Sequence, residues 1–515
     1  MKLPFQKIVI VGGGTAGWLS AVYLQRVIGS NPSLPLSIEV IESDDVGIIG
    51  VGEATIPSIR QTLQAIEIPE WRLFAETDAT FKNGIRFLNW RHSEQQGGSE
   101  YFHPFEGPPV YGGYNAMTHW LVAREAGVKV PRLDHAVGVQ SALGESRLSP
   151  KLFSSGPYEA PIPYAYHLDA VKFGRMLRNV ATGRGVTHLV DHVEQVILDD
   201  NGEISELRTR DGRTVRGDFF IDCTGFLSLL IEKNLKEPFI DYCDWLPCDR
   251  AVACQIPYET SEPQIRSCTT ATAVEAGWIW GIDLFGRSGY GYVYSSRFSN
   301  QERAQEVLAQ HVGKPAGDIK FRNLTMRVGR RENVWVKNCL AIGLSGGFIE
   351  PLESTGIHLI EIALSLFVDY MAHPVGIDRI RNAYNRIFRK YFDELRDFIV
   401  LHYISNQRTG EPFWDHYRTA VPIPDSLRDL LTLWMFKLPT GTDLSDKVSI
   451  FGAPNYAYVH LGMGNVPPLG QGISPYIPVN SSIEFLKGIQ IARQQATKAS
   501  PIQIDLVRKL RGVAG

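Results

Sequence analysis

The stretch Ile8-Val9-Ile10-Val11-Gly12-Gly13-Gly14-Thr15-Ala16-Gly17 holds the spacing with the most direct chemical meaning. A short apolar run ends in glycines, and residues 18–24 continue as a buried-helix pattern. Gly12, Gly14 and Gly17 fit G-x-G-x-x-G in a strand–turn–helix setting. There Gly12 makes the tight turn, Gly14 lets backbone approach a pyrophosphate, and Gly17 lets the helix pack closely on the strand. The phosphates then rest on the helix start at Thr15 and Ala16, where free N–H groups and the dipole favour anions. A second run, residues 36–42, ends in Glu42, an acid placed to bind a ribose hydroxyl. These residues predict a dinucleotide site without separating FAD from NAD. A glycine turn with no ligand is the alternative, and the agreement of strands, glycines, helix and acid argues against it.

The elements that position this site are discontinuous. In Gly50-Val51-Gly52-Glu53-Ala54 and the preceding Gly47, the glycines imply backbone pressed against something flat or against a neighbouring segment. A helix is expected at 58–66 and a loosely alternating strand at 81–90. Residues 100–114 carry His103, Phe105 and many rings among Gly and Pro, which reads as a pocket wall built from loops. A surface loop covering core is the alternative there. From residue 161 the scaffold resumes, with a helix introduced by Tyr166-His167-Leu168-Asp169 and strand-like runs between 186 and 215. Asn201-Gly202 and Asp211-Gly212 mark turns between those runs. Phe219-Phe220-Ile221-Asp222 leads into Gly225, and Leu340-Ala341-Ile342 into Gly343, so both are strands ending at a glycine.

Residues 246–296 alternate, and strand geometry puts Trp278, Trp280 and Ile282 on one face, readable equally as core or as pocket lining. Helices are expected at 357–370, over much of 376–440 and at 482–498. Three junctions, near 12, 225 and 343, therefore belong to one scaffold with other material inserted, as in large FAD-binding α/β proteins. Residues 1–110, 160–240 and 320–400 are assigned to a discontinuous FAD-binding domain, and 111–159, 241–319 and 401–515 to a substrate-side module. No second G-x-G-x-x-G follows a strand. The chain lacks an evident NAD(P)H site of its own, so if it uses reduced flavin, another protein is expected to supply it.

At 515 residues the chain has room for roughly two to four domains. Hydrophobic residues make up 44% and charged residues 21%, ordinary for a globular protein with a sizeable core. A formal charge of −3 gives no reason to propose nucleic acid or an anionic membrane as partner. The six cysteines form no CxxC pair or zinc spacing, so a reduced, cytoplasmic protein is expected and no metal site. The first strand starts at once, which gives no sign of a signal peptide. No apolar run reaches the ~18 residues of a membrane span.

Taken together, these residues resemble the flavin-dependent halogenases, the family that includes the tryptophan halogenases. The likeness runs from Ile8 to about Phe413. It rests on Gly12-Gly13-Gly14-Thr15-Ala16-Gly17-Trp18, Gly50-Val51-Gly52-Glu53-Ala54-Thr55-Ile56-Pro57, and Phe81-Lys82 before Phe87-Leu88-Asn89-Trp90. It continues through Phe220-Ile221-Asp222-Cys223-Thr224-Gly225, Trp278-Ile279-Trp280, Glu350-Pro351-Leu352-Glu353-Ser354-Thr355-Gly356 and Arg396-Asp397-Phe398. The lysine, the Trp-x-Trp and the Pro-Leu-Glu-Ser-Thr-Gly segment are together specific.

The resemblance implies an α/β fold: an FAD-binding Rossmann-like scaffold of the GR2, monooxygenase-like type, with an inserted sheet and a mostly helical C-terminal substrate-side module. It implies FADH2 supplied by a separate flavin reductase, and chloride or bromide as co-substrate. Reduced FAD reacts with oxygen to a flavin hydroperoxide, halide attacks the distal oxygen, and hypohalous acid travels through a tunnel to Lys82. Lys82 holds or covalently carries the halogen, and an electron-rich aromatic such as indole is halogenated. Cofactor contacts are implied at Gly12, Gly14, Thr15, Ala16, Gly17, Glu42, Val51, Gly52, Glu53, Ala54 and Gly343. Halide falls to Thr355 and Gly356, at a helix start with free N–H groups, although Ser354 or Thr355 would serve equally as an N-cap. Glu353 orients hypohalous acid or removes the ring proton. His103 and Phe105 resemble ring-sandwiching positions, and Trp278 and Trp280 stand between flavin and substrate. Lys82 must be neutral to form an N–halogen bond or charged to hydrogen-bond hypohalous acid, and an aromatic-lined cavity favours the neutral form.

Two departures stand out. Asp283 replaces the proline that follows the Trp-x-Trp in the family, which puts the local backbone shape in question. The late segment that grips a free amino acid in tryptophan-specific members is short here, at 448–460. An open pocket is therefore expected, one that accepts indole or another aromatic without gripping a free amino acid. A second copy of the chain is an optional partner. The competing readings are a flavin-dependent aromatic monooxygenase, indifferent to halide and to Lys82, and a flavin redox sensor without turnover.

Overall fold

The computed structural model describes residues 5–30, 36–45, 47, 52–371, 376–446, 448–469 and 476–512. Val51, an expected flavin contact, and Gly50 beside it lie outside the described residues. The chain divides into two compact units: Met1–Ala79, Leu168–Tyr242 and Met326–Phe392 make one, and Thr80–His167, Cys243–Thr325 and Asp393–Gly515 the other.

The first unit carries a six-stranded sheet ordered Thr187–Val190, Ser37–Glu42, Lys7–Val11, Phe219–Asp222, Cys339–Ala341, Trp335–Val336. The first five are parallel neighbours and the last pairs antiparallel. Lys7–Val11 reads as an unbroken apolar run because its neighbours cover both faces: Ile8, Val9 and Ile10 are fully buried. Helices Thr15–Leu24, Ala170–Gly183 and Gly356–Met371 belong to this unit, the first packing on the other two. A three-stranded antiparallel sheet, Val193–Leu198, Ile204–Thr209 and Thr214–Arg216, packs Val193, Ile204, Leu207 and Val215 on Val9, Val11 and Phe220. The helix expected after Tyr166-His167-Leu168-Asp169 runs over Ala170–Gly183, capped by Asp169, which accepts the Lys172 N–H at 2.9 Å, and Ala165–Leu168 before it form a strand.

The second unit carries a seven-stranded sheet ordered Arg322–Thr325, Arg250–Pro257, Arg287–Tyr294, Gly277–Asp283, Thr269–Val274, Gly84–Leu88, Glu100–Pro104. Residues 81–90 were expected as one strand, and the chain instead breaks at Asn83, which donates its N–H to Ser267 O at 2.7 Å. Thr80–Lys82 pairs with Ala165–His167 and Gly84–Leu88 joins the large sheet. Gly84 makes the break feasible, with φ +149 and no room for a Cβ, which would lie 2.4 Å from His103 O. These pairings place residues 80–104, assigned above to the flavin side, in the second unit. Helices Ala116–Glu125 and Val479–Ala499 share an apolar core with the Ala453–Gly462 helix, and a further helix, Gln503–Leu510, follows beyond the one expected at 482–498. Among the described residues no helix is long and apolar enough to cross a membrane.

Candidate active site

In the first unit Gly12, Gly17 and Gly343 meet at the C-terminal ends of parallel strands. Gly12 has φ +115, and a Cβ there would lie 2.2 Å from Cys223 O. At Gly17 it would lie 1.9 Å from Gly12 O, and at Gly343 2.8 Å from the Cβ of Ala16. The three glycine junctions therefore approach as closely as they do only because side chains are missing. Gly14, by contrast, faces open space, and the Thr15–Leu24 helix begins at it with no side-chain cap. Its first-turn N–H groups are left for an anion. Glu42 lies against the same turn, its Cδ 2.2 Å from where a Gly13 Cβ would stand, with His188 Nε2 at 3.0 Å. An open cradle at a helix start with an acid beside it fits a dinucleotide.

Sequence reasoning missed the bolt that ties two of these junctions together. Asp222 is fully buried and accepts Thr224 N at 3.0 Å, Leu230 N at 2.8 Å, Ile231 N at 2.9 Å and Ser345 Oγ at 3.0 Å. Its position as the last residue of an apolar strand was the available signal. Gly52 takes φ +111 before the short strand Glu53–Ala54, and burial pushes the Glu53 carboxyl up to about 7.

Glu353, Ser354 and Thr355 are buried in the same unit. Ser354 adopts φ +61, a left-handed conformation uncommon for serine, and the Gly356–Met371 helix starts two residues later. The Thr355 carbonyl accepts the Leu359 N–H at 3.0 Å, so Thr355 is the residue that opens the helix. The first-turn N–H groups beyond it have no intrahelical acceptor.

In the second unit Lys82 is fully buried, its Nζ 5.3 Å from the centre of the Phe105 ring. Thr80 and Lys82 share one face of their strand, opposite His167 and Ala165 in register. Thr80 Oγ1 donates to Asp283 O at 2.6 Å, and the His167 Nδ1 lies 3.5 Å from the same hydroxyl and its Nε2 2.8 Å from Thr269 Oγ1. Burial, helped by the Lys82 charge, holds the His167 imidazole well below its ordinary pKa of 6.5, so the ring is neutral.

Asp283 ends the Gly277–Asp283 strand in regular register with Ser288, so the loss of proline leaves an unbroken ladder there. Its buried carboxylate accepts Arg266 Nε at 2.9 Å, Arg266 Nη2 at 2.7 Å and Ser288 Oγ at 2.7 Å. Burial alone would raise this carboxyl, but the Arg266 bonds hold it below the usual range. Trp278 is core, its ring 6.4 Å from Trp90. Trp280 is half-buried over Gly291, where a Cβ would stand 1.9 Å from the indole.

His103 is buried with its Nε2 3.1 Å from Asn455 Oδ1. Phe398, Phe451 and Tyr458 surround it at ring distances of 6.0, 6.2 and 6.2 Å. Phe105 is held by its backbone N–H, which donates to Gln140 Oε1 at 2.7 Å, while Glu106 Oε1 accepts the Val139 N–H at 2.7 Å. Phe398 belongs to the Arg396-Asp397-Phe398 motif, but Asn455, Phe451, Tyr458 and Gln140 carried no signal of their place here, because each meets its partner across tens to hundreds of residues. The structure thus gathers the expected residues into two groups: Gly12, Gly14, Thr15, Ala16, Gly17, Glu42, Gly52, Glu53, Ala54, Gly343, Glu353, Thr355 and Gly356 in the first unit, and Lys82, His103, Phe105, Trp278 and Trp280 in the second.

A family model described as tryptophan halogenase matches residues 7–473. The chain is 39% identical over 479 residues to the 7-chloro-L-tryptophan 6-halogenase of Kutzneria sp. (strain 744), covering 89% of this chain and 90% of that protein. It is 34% identical over 494 residues to the tryptophan 7-halogenase of Lentzea aerocolonigenes, with 91% of each chain covered. Among solved structures it is similar to the tryptophan halogenase of Shewanella frigidimarina, with TM-score 0.92 and 36% identity over 99% of this chain and 98% of that one. A flavin-dependent halogenase from Brevundimonas sp. BAL3 matches with TM-score 0.87 and 32% identity over 98% and 99% of the two chains.

Proposed function

The chain belongs to the tryptophan halogenase family, and from that premise we propose how its residues divide the reaction. The protein is a flavin-dependent halogenase acting on tryptophan or an indole relative, built on the FAD-binding Rossmann-like fold. Reduced FAD, with oxygen and halide, supplies hypohalous acid. The Gly12–Gly17 turn and Glu42 hold the dinucleotide, and Thr355 and Gly356 hold halide at the start of their helix.

Lys82 captures the oxidant. As a neutral amine its nitrogen attacks the halogen, the oxygen–halogen bond breaks, and water leaves with the displaced proton. The aromatic ring then takes the halogen from nitrogen, Glu353 accepts the ring proton, and a proton from solvent restores the Lys82 amine while Glu353 releases its own to solvent in turn. His103 and Phe105 flank the ring. The observation that carries this reading is the complete burial of Lys82 with its Nζ 5.3 Å from the centre of the Phe105 ring.

Reduced flavin comes from a separate reductase, a reading supported by the lack of a second glycine motif after a strand. The substrate is an indole-type ring that needs no free amino acid group. In support, Glu394, a buried carboxylate near the His103 wall, is already engaged by donors of the protein itself. The test combines the protein with FAD, a flavin reductase, NADH, oxygen and bromide or chloride, offers indole and L-tryptophan, and reads halogen isotope patterns by mass. Lys82→Ala should abolish product while leaving flavin binding unchanged. A variant that still halogenates would remove Lys82 from this role, and strong preference for free tryptophan over indole would defeat the open pocket.

A further inference from the structure

Glu394, on the Ile377–Ile404 helix, is 4% exposed. Its Oε1 accepts Ser449 Oγ and Tyr456 Oη, each at 2.8 Å, and its Oε2 accepts the Ile450 N–H at 3.2 Å. Ser449 Oγ also lies 2.5 Å from Phe451 O, so its single proton is shared, and the Tyr456 and Ile450 donors are the constant ones. One helical turn beyond Glu394, Phe398 stacks on Phe451 with centroids 4.0 Å apart, and Tyr456 meets Phe398 edge-on at 4.8 Å. Both phenylalanines border His103, which Asn455 of the same segment holds at 3.1 Å. One buried carboxylate thus fastens residues 449–456 to the helix, and those residues supply one side of the His103 wall.

We propose that Glu394 is a positioning residue that sets which ring carbon is halogenated, by fixing Phe451 and Tyr456 against Phe398 beside His103. This rests on the halogenase reading. A short segment between turns would otherwise let Phe451 move, and a displacement of ~1 Å is enough to change which atom of a bound ring meets an oxidant. Releasing the segment would leave a buried carboxylate without its donors, which is costly, so the wall stays in one arrangement. Glu394 touches neither oxidant nor ring in this role and acts through Phe451.

The experiment measures regioisomer ratios of monohalogenated product, KM and kcat for indole and for L-tryptophan. Wild type is compared with Glu394→Gln, Tyr456→Phe and Ser449→Ala, with FAD affinity measured for each. Glu394→Gln should shift the regioisomer ratio and raise KM by about fivefold or more, with kcat changed by less than about threefold and FAD affinity unchanged. Tyr456→Phe, which keeps the ring and removes one donor, should give a smaller shift in the same sense. Should Glu394→Gln fail to fold, Tyr456→Phe and Ser449→Ala carry the measurement. An unmoved ratio and KM in folded variants, or a uniform fall in kcat alone, would overturn the proposal. Absence of halogenated product from the wild type would overturn the halogenase reading itself, and this inference with it.

Discussion

Thr80 Oγ1 donates to the backbone carbonyl of Asp283 at 2.6 Å, two residues before Lys82 on the same strand. The end of the Gly277–Asp283 strand is thereby fastened to the strand that carries the lysine. The Asp283 carboxylate holds Arg266 in a two-nitrogen fork, so main chain and side chain of one residue stabilise the surroundings of Lys82. Removing the carboxylate leaves the half-buried Arg266 guanidinium with Thr270 Oγ1 at 3.3 Å and Tyr290 Oη at 3.2 Å as its remaining side-chain partners. Asp283→Ala should cost about 1–3 kcal/mol of stability, read as a lower melting temperature. Asp283→Asn, which still accepts one bond, should cost less. Equal melting of wild type and Asp283→Ala would show that water already satisfies Arg266.

Glu353 is buried next to the start of the Gly356–Met371 helix. If its carboxylate accepts the ring proton, Glu353→Gln keeps the shape and loses the base. Turnover should fall by about 10²–10⁴-fold with FAD affinity unchanged, measured by product formation and by flavin titration. A loss below tenfold would return Glu353 to the role of an ordinary acid at a helix start.

The flavin cradle gives a steric prediction. At Gly12 an added Cβ would meet Cys223 O at 2.2 Å, and φ is +115. Gly12→Ala should abolish FAD retention on a desalting column. Gly14→Ala, with nothing within 4 Å of its Cβ, should leave folding intact and weaken FAD only if the phosphates come that close.

Sequence periodicity was a good guide where one element answers to one force. Lys7–Val11 is apolar because both faces are covered, and Gly12 and Gly17 follow from close approach of backbone to backbone. Periodicity failed at residues 81–90, where alternation looked like one strand. A single glycine against His103 O splits the run between two sheets, a contact invisible to local pattern. The candidate site shows the same divide. Lys82 and Glu353 were legible through family motifs. Glu394, Asn455 and Thr80 act through partners 352 residues away in the case of Asn455 and 203 in the case of Thr80, and no spacing rule encodes such pairs. Asp283 was legible as a departure from the family and not as the partner of Arg266, because it is the burial of the Asp283 carboxylate that makes that ion pair matter.

His167 supplies a prediction with a sign. Its folded-state pKa lies well below 6.5, through burial first and the Lys82 charge second, with Asp283 opposing and Arg266 adding to the effect. The unfolded chain binds a proton at this position below about pH 6.5 while the folded one does not, so stability must fall as pH drops through that range. His167→Gln, whose amide can still bridge Thr80 and Thr269, should lose this part of the slope between pH 7.5 and 5. His460, pushed down to about 4 by burial, adds a parallel slope of its own. The quantity to read is therefore the difference in melting temperature between wild type and variant, which should shrink or reverse as pH falls. A difference that stays constant with pH would mean that His167 titrates in the folded protein as it does in the open chain, and that the face of the strand carrying Lys82 admits water.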